Sequence, residues 1–309
     1  MSLQFSAHVY FGAVMTLKNR RIVVAYMFLT VPLLYFIGVR LAPMIYAMVM
    51  GLTNWGLTAR NVRFVGFENF KTIFTDPVFI KALTNTLRYA FIGGPLVILV
   101  GLFFALQLNM ISRGKGLFRL IYVLPYITPV VAVSWVWRWL YQPPPIGLIN
   151  GIFSRFGIPV QGFLGDPATA LYCIILVNVW IDTGYCVTIF LAGIQNIPSD
   201  FIEAAKIDGA TNRILFLKIT LPLLLPITLF LMVMEGISFL RIFTQVYNMS
   251  FQATGGPLNS TKSAAMYIYQ IAFSQFKMGL AASASMVLFI MIMFITLIQI
   301  KFFDRKVSY

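Results

Sequence analysis

Long apolar runs separated by short polar segments follow one another along most of the chain. About 20 consecutive, mostly apolar residues are needed for a helix to cross the ~30 Å hydrocarbon layer of a membrane. The pattern therefore predicts an all-α polytopic membrane protein with six transmembrane helices. The six runs are Ile22–Met50, Leu83–Ile111, Leu120–Tyr141, Ala168–Gln195, Ile219–Tyr247 and Gly279–Ile300.

The segments between the runs differ in their density of basic residues. Lys and Arg are concentrated in the N-terminal tail, in the segments 112–119 and 196–218, and in the C-terminal tail. The loops 52–81, 142–167 and 249–278 carry fewer of them in more positions. Because cytosolic segments of membrane proteins are enriched in Lys and Arg, we expect both termini to lie in the cytosol.

Composition supports a membrane protein over a soluble one. Of 309 residues, 60% are hydrophobic and 10% charged, with a mean hydropathy of +0.86, whereas soluble domains carry about 25% charged residues. The net charge of +14 does not indicate nucleic-acid binding, because its basic residues interrupt apolar runs rather than cover a polar face. The first run exceeds the ~7–15 apolar residues of a cleavable signal peptide, so it is expected to be a retained anchor.

The segment 196–218 contains the strongest local signals. Ser199 is a candidate N-cap, and Asp200 in the first turn would complement the helix dipole. Gly209 suits a left-handed helix end, and Thr211 can cap a second short helix. The sequence therefore predicts a helix–turn–helix with an apolar face that needs a partner. The residues of that face are Phe201, Ile202, Ala205, Leu215 and Phe216.

A spaced set of residues in this segment resembles the EAA loop of bacterial ABC importer permeases. Glu-Ala-Ala is followed after three residues by Gly, and after nine more by Ile-x-Leu-Pro. The matching positions are Glu203, Ala204, Ala205, Gly209, Ile219, Leu221 and Pro222. A lone Glu-Ala-Ala would mean little, but the full spacing between two apolar runs is specific.

Other segments resemble the maltose and glycerol-phosphate type of these permeases, so that the resemblance spans about residues 60 to 303. These segments are Phe64–Phe70, Leu124–Pro129, Gly147–Asn150, Thr254–Pro257 and Tyr267–Tyr269. The resemblance implies a type I ABC importer permease fold. It also implies an N-terminal tail, first helix and first outer loop over 1–80, a permease core over 81–303 with a coupling loop at 196–222, and a cytosolic tail at 304–309.

The resemblance further implies a function and an assembly. The chain would be a non-enzymatic, multi-pass subunit of the bacterial cytoplasmic (inner) membrane that imports a sugar, glycoside, polyol or glycerol phosphate. Its partners would be a second, homologous permease in a heterodimer, two ATP-binding subunits and an extracytoplasmic solute-binding protein. Glu203 would make a charge-assisted contact with an ATP-binding subunit, while Ala204 and Ala205 keep the helix slim and Gly209 permits the turn.

Cofactors are expected only in the partners. The sequence contains no G-x-x-x-x-G-K-[ST] phosphate loop, since Gly114-Lys115-Gly116 is isolated and is followed by Leu. ATP and Mg²⁺ would therefore be bound by the ATP-binding subunits. No metal site is expected, because the two cysteines, Cys173 and Cys186, lie inside one apolar run and His8 is the single histidine.

Two acidic residues fall near the middle of predicted spans, Asp182 in the fourth and Glu235 in the fifth. An ionisable group at that depth costs roughly 2.5–3.5 kcal/mol on insertion scales, so it usually faces a cavity or a partner. Carboxylates, amides and Arg can bind sugar hydroxyl groups. The candidate solute-path residues are Asn178, Asp182, Tyr185, Glu235, Arg241 and Gln245. An acid–Arg pair that ties helices together, or contacts with a second permease, would explain the same residues.

Three other interpretations are weaker. A helix lying on lipid headgroups would favour Lys and Arg on its polar face, whereas the predicted helix carries Asp200, Glu203 and Asp208. A secondary transporter would commonly show inverted repeats with broken helices, and none is evident. A membrane enzyme would need a His, Cys or paired-acid constellation near an interface.

Overall fold

The computed structural model describes residues 17–56, 62–111 and 113–307, and helices make up most of these residues. Within the described residues, four helices are long and apolar enough to cross a membrane, and two more apolar segments are pairs of helices joined at a sharp bend. Counting each bent pair as one span gives the six spans predicted. The four unbroken spans are Arg21–Gly51, Pro77–Met110, Ala170–Gln195 and Met278–Lys301.

The α-helices have the following bounds. They are α1 Leu17–Phe36, α2 Ala42–Gly51, α3 Glu68–Thr75, α4 Pro77–Arg88, α5 Gly94–Met110, α6 Lys115–Ile127, α7 Val130–Leu140, α8 Leu148–Arg155, α9 Ala170–Gln195, α10 Ser199–Ile207, α11 Asn212–Leu215, α12 Leu221–Leu223, α13 Leu225–Leu240, α14 Thr244–Met249, α15 Ala264–Tyr269 and α16 Met278–Val307. Single π-helical turns occur at Ile37–Leu41, Tyr89–Gly93, Phe216–Thr220 and Gln270–Ser274.

The third span is not the single helix expected over Leu120–Tyr141. It bends by 94° between α6 and α7, at the Thr128-Pro129 dipeptide, where the backbone is extended. The residue before a proline is disfavoured in the α conformation, and proline has no N–H to continue the helical hydrogen bonds. Pro129 therefore ends α6 and leads into α7.

The fifth span, expected over Ile219–Tyr247, also differs from a single helix. A bend of 62° separates its first part, ending at Leu223, from α13. The helix then stops at Leu240, and Arg241 caps it with a non-helical backbone before α14 begins. The apolar run is real, but it comprises three helical pieces.

The chain divides into two compact units, and the first ends at Val49. α1, the π-helical turn after it and α2 continue as one apolar span of 31 residues. Pro32 lies inside α1. At about 1.5 Å per residue, this span exceeds the length needed to cross the hydrocarbon layer.

The second unit, from Met50 onward, is organised around α9. About two-thirds of the most apolar stretch of α9 is buried, a larger share than in the other three unbroken spans. Small residues allow its neighbours to approach: a Cβ on Gly101 of α5 would overlap Cys186, and a Cβ on Gly184 would overlap the backbone of Tyr122 in α6. Small residues at such crossings are typical of membrane helix pairs. Cys173 and Cys186 are free and buried, in agreement with a packing role.

Candidate functional site

A cavity of about 600 Å³ lies beside α9. It is bounded by the bend at Thr128-Pro129 in the third span and by the interruption between α13 and α14 in the fifth span, which are called the first and second breaks. Each of these three parts of the fold contributes to its wall. The lining residues are Tyr126, Thr128 and Val130 from the first break, Asn178, Ile181 and Asp182 from α9, and Met234, Ile237, Ser238, Arg241, Ile242, Phe243, Thr244 and Gln245 around the second break.

The location of the two breaks explains how this cavity can exist inside a membrane span. Non-helical backbone at membrane depth is tolerated only where it is buried in protein or lines a cavity, because lipid offers no hydrogen bonds. Side chains satisfy part of the freed backbone: Ser263 Oγ donates to Ile242 O at 2.6 Å. On the other break, Thr128 Oγ1 donates to Leu124 O at 2.7 Å.

A chain of side-chain hydrogen bonds crosses one wall of the cavity. Gln245 Nε2 in α14 donates to Asn178 Oδ1, and Asn178 Nδ2 donates to Asp182 Oδ2 at 2.9 Å. Asn178 is only 2% exposed, and these two bonds engage both ends of its amide. Asn178 therefore orients Gln245 and Asp182 and joins α14 to α9.

Other polar atoms on the wall remain open to a ligand. Within the described residues, no hydrogen bond engages Asp182 Oδ1, the Arg241 guanidinium or Ser238 Oγ. A carboxylate oxygen accepts hydrogen bonds, a guanidinium donates them, and a hydroxyl group does both. This combination can bind a molecule that carries several hydroxyl groups.

Two predicted path residues lie beside the cavity rather than on its wall. The Tyr185 ring stacks on the lining residue Tyr126, with ring centroids 5.4 Å apart and an interplanar angle of 19°. Glu235 is 4% exposed, and its Oε1 accepts a long hydrogen bond of 3.7 Å from Cys186 Sγ. Its Oε2 has no hydrogen-bond partner among the described residues.

The structure therefore brings four of the six predicted path residues onto one wall, namely Asn178, Asp182, Arg241 and Gln245. Among the described residues, no Arg or Lys forms a hydrogen bond or ion pair with Asp182 or Glu235. The acid–Arg pair is thus not formed among the described residues. Sequence reasoning missed Tyr126, Thr128, Phe243 and Thr244 as lining residues. The Thr128-Pro129 dipeptide was the one signal that could have placed the first two, because it marks the break.

A second candidate site is the helical hairpin formed by α10, the turn 208–211 and α11. Its turn has the hydrogen bonds of a Schellman motif. Gly209 N donates to Lys206 O at 3.0 Å and Ala210 N to Ala205 O at 2.9 Å. Gly209 has φ +79°, as predicted, and Thr211 Oγ1 accepts from Ile214 N at 3.5 Å to cap α11, also as predicted.

The predicted N-cap is wrong. Pro198 occupies the N-cap position with extended backbone, and Ser199 is the first helical residue. Ser199 Oγ instead donates to Asp200 Oδ1 at 3.4 Å. Pro198 has φ −58° and ψ 135°, so its ψ is not helical and Ser199 is the first residue inside the helix. The residue before a proline is disfavoured in the α conformation, so the helix does not extend back to Ile197. Asp200 lies in the first turn, as expected.

The hairpin exposes Glu203 and Ala204 and half-buries Ala205. Its apolar face differs from the predicted one, since Leu215 is buried and Ile202 and Phe216 are half-buried. The exposed apolar side chains are Phe201, Ile207, Ile214 and Leu217, and Ile207 is 86% exposed. An exposed apolar surface on a compact, capped element is typical of an interaction site.

The hairpin continues directly into the fifth span. Ile219 lies in the π-helical turn Phe216–Thr220, and Leu221 and Pro222 lie in α12. α12 meets α13, which lines the cavity, at the 62° bend. The hairpin is therefore joined to the cavity wall through α12 and through α13, whose lining residues begin at Met234.

Comparison with known proteins points to a single family. Residues 97–309 match the family described as "Binding-protein-dependent transport system inner membrane component". The chain is 36% identical to the "Probable ABC transporter permease protein YesP" of Bacillus subtilis, covering 92% of this chain and 91% of that protein. It is 34% identical to the "Diacetylchitobiose uptake system permease protein NgcF" of Streptomyces coelicolor, covering 84% and 76%.

A solved structure shares the fold. In the crystal structure of a bacterial alginate ABC transporter in complex with an alginate pentasaccharide-bound periplasmic protein, one chain superposes with a TM-score of 0.80. The two chains are 24% identical, and the match covers 91% of this chain and 94% of that one.

Proposed function

Because the chain belongs to the family of binding-protein-dependent transport system inner membrane components, we propose that it forms the solute path of an ATP-driven ABC importer. It is a multi-pass permease subunit of the bacterial inner membrane. The observation that carries this proposal is the cavity between the two broken spans, where Asp182, Ser238 and Arg241 present unengaged polar atoms. The hairpin that leads into the wall of this cavity supplies the route for coupling.

The transported solute is a carbohydrate or a related molecule: a sugar, glycoside, polyol or glycerol phosphate. The cavity supports this class because its wall mixes a carboxylate, a guanidinium, amides and a hydroxyl group with the rings of Tyr126 and Phe243. Aromatic rings can pack against the C–H faces of a sugar ring. One of the relatives is named as the permease of an uptake system for diacetylchitobiose, which is a carbohydrate.

Different path residues have different roles in this proposal. Asp182, Arg241 and Gln245 contact the solute, and Asn178 holds Asp182 and Gln245 in place. Tyr185 and Glu235 support the wall from behind: Tyr185 stacks on the lining residue Tyr126, and Glu235 accepts from Cys186 and so joins α13 to α9. The 600 Å³ volume suits a small saccharide.

The hairpin is the coupling element of the permease core, 81–303. Glu203 makes a charge-assisted contact with an ATP-binding subunit, and Ala204 and Ala205 keep that surface slim. Gly209 shapes the turn, while Ile219, Leu221 and Pro222 connect it to the span. ATP and Mg²⁺ are bound by two partner subunits. Closure of these subunits draws together the hairpins of the two permeases, and the solute path then opens outward.

Two further partners complete the assembly: a homologous permease in a heterodimer and an extracytoplasmic solute-binding protein. Reconstitution tests the proposal. The chain alone should hydrolyse no ATP, and the full assembly should hydrolyse ATP faster when the loaded binding protein is added. Uptake should require every component. Transport without the ATP-binding subunits would contradict the proposal, and a complex with two copies of this chain as its only permeases would contradict the heterodimer.

The orientation, with both termini in the cytosol, can be tested by cysteine labelling. Phe156, in the segment after α8, is 78% exposed, and Asn212 in the hairpin is exposed. The native cysteines are buried and give a low background. Phe156→Cys should react with an impermeant thiol reagent outside intact cells, and Asn212→Cys only after the membrane is opened. Labelling of position 212 from outside would overturn the orientation.

A further inference from the structure

A second polar cavity, of about 360 Å³, lies where two spans begin. Asp76 directly precedes the span Pro77–Met110, and Lys277 directly precedes the span Met278–Lys301. Both residues line the cavity, so the fold places it at the level where lipid headgroups meet the hydrocarbon layer. The lining residues are Thr72, Asp76, Val78, Lys262, Tyr267, Gln270, Ile271, Gln275, Lys277 and Leu280.

Lys262 is the most unusual member of this lining. The residue is only 8% exposed, and its ammonium group has no hydrogen-bond acceptor among the described residues. Burial lowers the pKa of Lys262, although the negative charge of Asp76 opposes this effect. Although most of the side chain is buried, the ammonium group itself is not fully buried, so an acceptor can reach it from the cavity.

The Lys262 side chain is held in place by a glycine. Gly255 has φ +95°, and a Cβ at this position would come within 2.6 Å of Lys262 Cβ and 2.8 Å of its Cε. The aliphatic part of Lys262 therefore lies against the Gly255 backbone. The loop itself is tied to the second span, because Asn85 Nδ2 in α4 donates to Lys262 O at 3.1 Å and Tyr89 Oη in the following π-helical turn donates to Thr261 O at 3.0 Å.

Asp76 does not serve as the acceptor that Lys262 lacks. Its Oδ1 accepts from Val78 N at 2.8 Å and caps α4. Its Oδ2 accepts from Tyr267 Oη at 2.7 Å, and this carboxylate together with burial raises the pKa of Tyr267. Both carboxylate oxygens are thus engaged, and two lysines against one aspartate leave the lining with an excess of positive charge.

Lys277 lines the same cavity as Lys262. Its backbone is fixed because Lys277 N donates to Ile271 O at 3.0 Å and Gln275 N donates to Gln270 O at 3.0 Å. Lys277 and Gln275 are exposed, which leaves the cavity open to the surroundings. A negatively charged group can therefore enter between Lys262 and Lys277.

We propose that Lys262 and Lys277 form a binding site for a phosphate group, supplied by the headgroup of an anionic phospholipid. A phosphate carries several acceptor oxygens and can accept from both ammonium groups at once. The position of the cavity at the start of two spans places it at headgroup depth, on the side that the charge distribution predicts to be extracytoplasmic, and a phospholipid of that leaflet presents its phosphate at this depth. The site is separate from the cavity between the broken spans and does not depend on the transported solute.

Lipid retention in the assembled transporter tests this site. The complex is reconstituted in mixed phosphatidylcholine and phosphatidylglycerol, transferred to detergent, and analysed by mass spectrometry of the intact assembly. Wild type should retain phosphatidylglycerol. Lys262→Met and Lys277→Met should each reduce the retained amount about tenfold, which corresponds to about 1.4 kcal/mol. Lys81→Met removes an exposed lysine near the same end of the second span but outside this cavity, and should have no effect.

Inorganic phosphate distinguishes the source of the ligand. If phosphate raises the unfolding temperature of the delipidated wild-type complex but not of Lys277→Met, while lipid retention is unchanged, the occupant is free phosphate and the lipid assignment is wrong. Lys262 is mostly buried, so Lys262→Met could prevent assembly. In that case Lys277→Met, at an exposed position, decides whether the site binds the lipid. Equal responses of wild type and Lys277→Met to both probes would overturn the site.

Discussion

In the cavity between the broken spans, a hydrogen bond joins two helices that are far apart in the chain, whereas in the helical hairpin the bonds of the turn join near neighbours. Gln245 and Asn178 are 67 residues apart, while the bonds that shape the hairpin turn link Ala210 to Ala205 and Gly209 to Lys206. The cavity is lined by residues of five helices, α6, α7, α9, α13 and α14, and encloses polar groups. The hairpin is built locally and presents apolar groups outward.

Under the proposed function, this difference would let one chain combine solute binding with force transmission. A site that binds a polar solute inside a membrane must hide its polar groups from lipid, and only packing between helices can do so. An element that docks on another protein must keep its shape without that packing, so it relies on caps and a defined turn. Substitutions in the two regions should therefore fail in different ways.

The largest effect is expected for Glu203→Lys in the hairpin. The change removes the proposed charge-assisted contact, worth about 1.5–3 kcal/mol, and replaces the negative charge of the side chain by a positive one. We expect uptake to fall to background and the stimulation of ATPase activity by the binding protein to be lost. Asp208→Lys makes the same charge change at the C-cap of α10, where the side chain is also exposed. If Asp208→Lys abolishes coupling as strongly, or Glu203→Lys couples normally, Glu203 has no specific role.

A large but selective effect is expected for Asp182→Asn in the cavity. The amide keeps the shape of the carboxylate but loses a charged acceptor, which should lower uptake efficiency about tenfold, or about 1.4 kcal/mol. Assembly and basal ATPase activity should remain at wild-type levels. Solute uptake kinetics measure the uptake efficiency, and ATPase assays on the same membranes measure the basal activity of the assembled complex.

Glu235→Gln is the matched variant for that experiment. It makes the same charge change on a residue that is 4% exposed and lies beside the cavity rather than on its wall. Its effect on uptake should be smaller than that of Asp182→Asn. Loss of assembly in both variants would instead favour a structural role for the two acids.

A moderate effect is expected for Gly209→Ala. An added Cβ would meet no atom within 4 Å, so the cost comes only from the left-handed backbone, about 1 kcal/mol or somewhat more. Binding of the ATP-binding subunits, measured by co-purification or titration, should weaken about fivefold. Gly116→Ala also meets no atom within 4 Å but lies inside α6 with helical backbone, so it should be neutral. Equal behaviour of the two variants would argue against the role of the turn.

The smallest effect is expected for Ser238→Ala on the cavity wall. It removes an uncharged hydrogen bond to the solute, worth about 0.5–1.5 kcal/mol, so uptake efficiency should fall about threefold. Ser285→Ala in α16 removes a hydroxyl that bonds only within its own helix, to Ala281 O at 2.9 Å. Uptake kinetics of the two variants should differ, and an unchanged Ser238→Ala would remove this hydroxyl from the solute path.

The reach of sequence reasoning follows the same division. Gly209 and Thr211 were placed correctly because their roles depend on only a few neighbouring residues. Ser199 was misplaced by one position, since Pro198 and Ser199 both fit a helix start and the local signal does not separate them. The bends at Thr128-Pro129 and near Leu224 were missed because hydropathy measures how apolar a segment is, and a bent pair is as apolar as a straight helix.

The sequence by itself determined the membrane class, the six apolar segments, the family and the local shape of the hairpin. These properties depend on composition, on run length and on bonds between residues that are close in the chain. Only the tertiary structure decided that Asn178, Asp182, Arg241 and Gln245 share one wall while Glu235 lies beside it. It also decided that Lys262 and Lys277 face one cavity. The physical reason is that helix packing sets which buried polar atoms find a partner, and the residues involved are too far apart in the chain for any local pattern to record it.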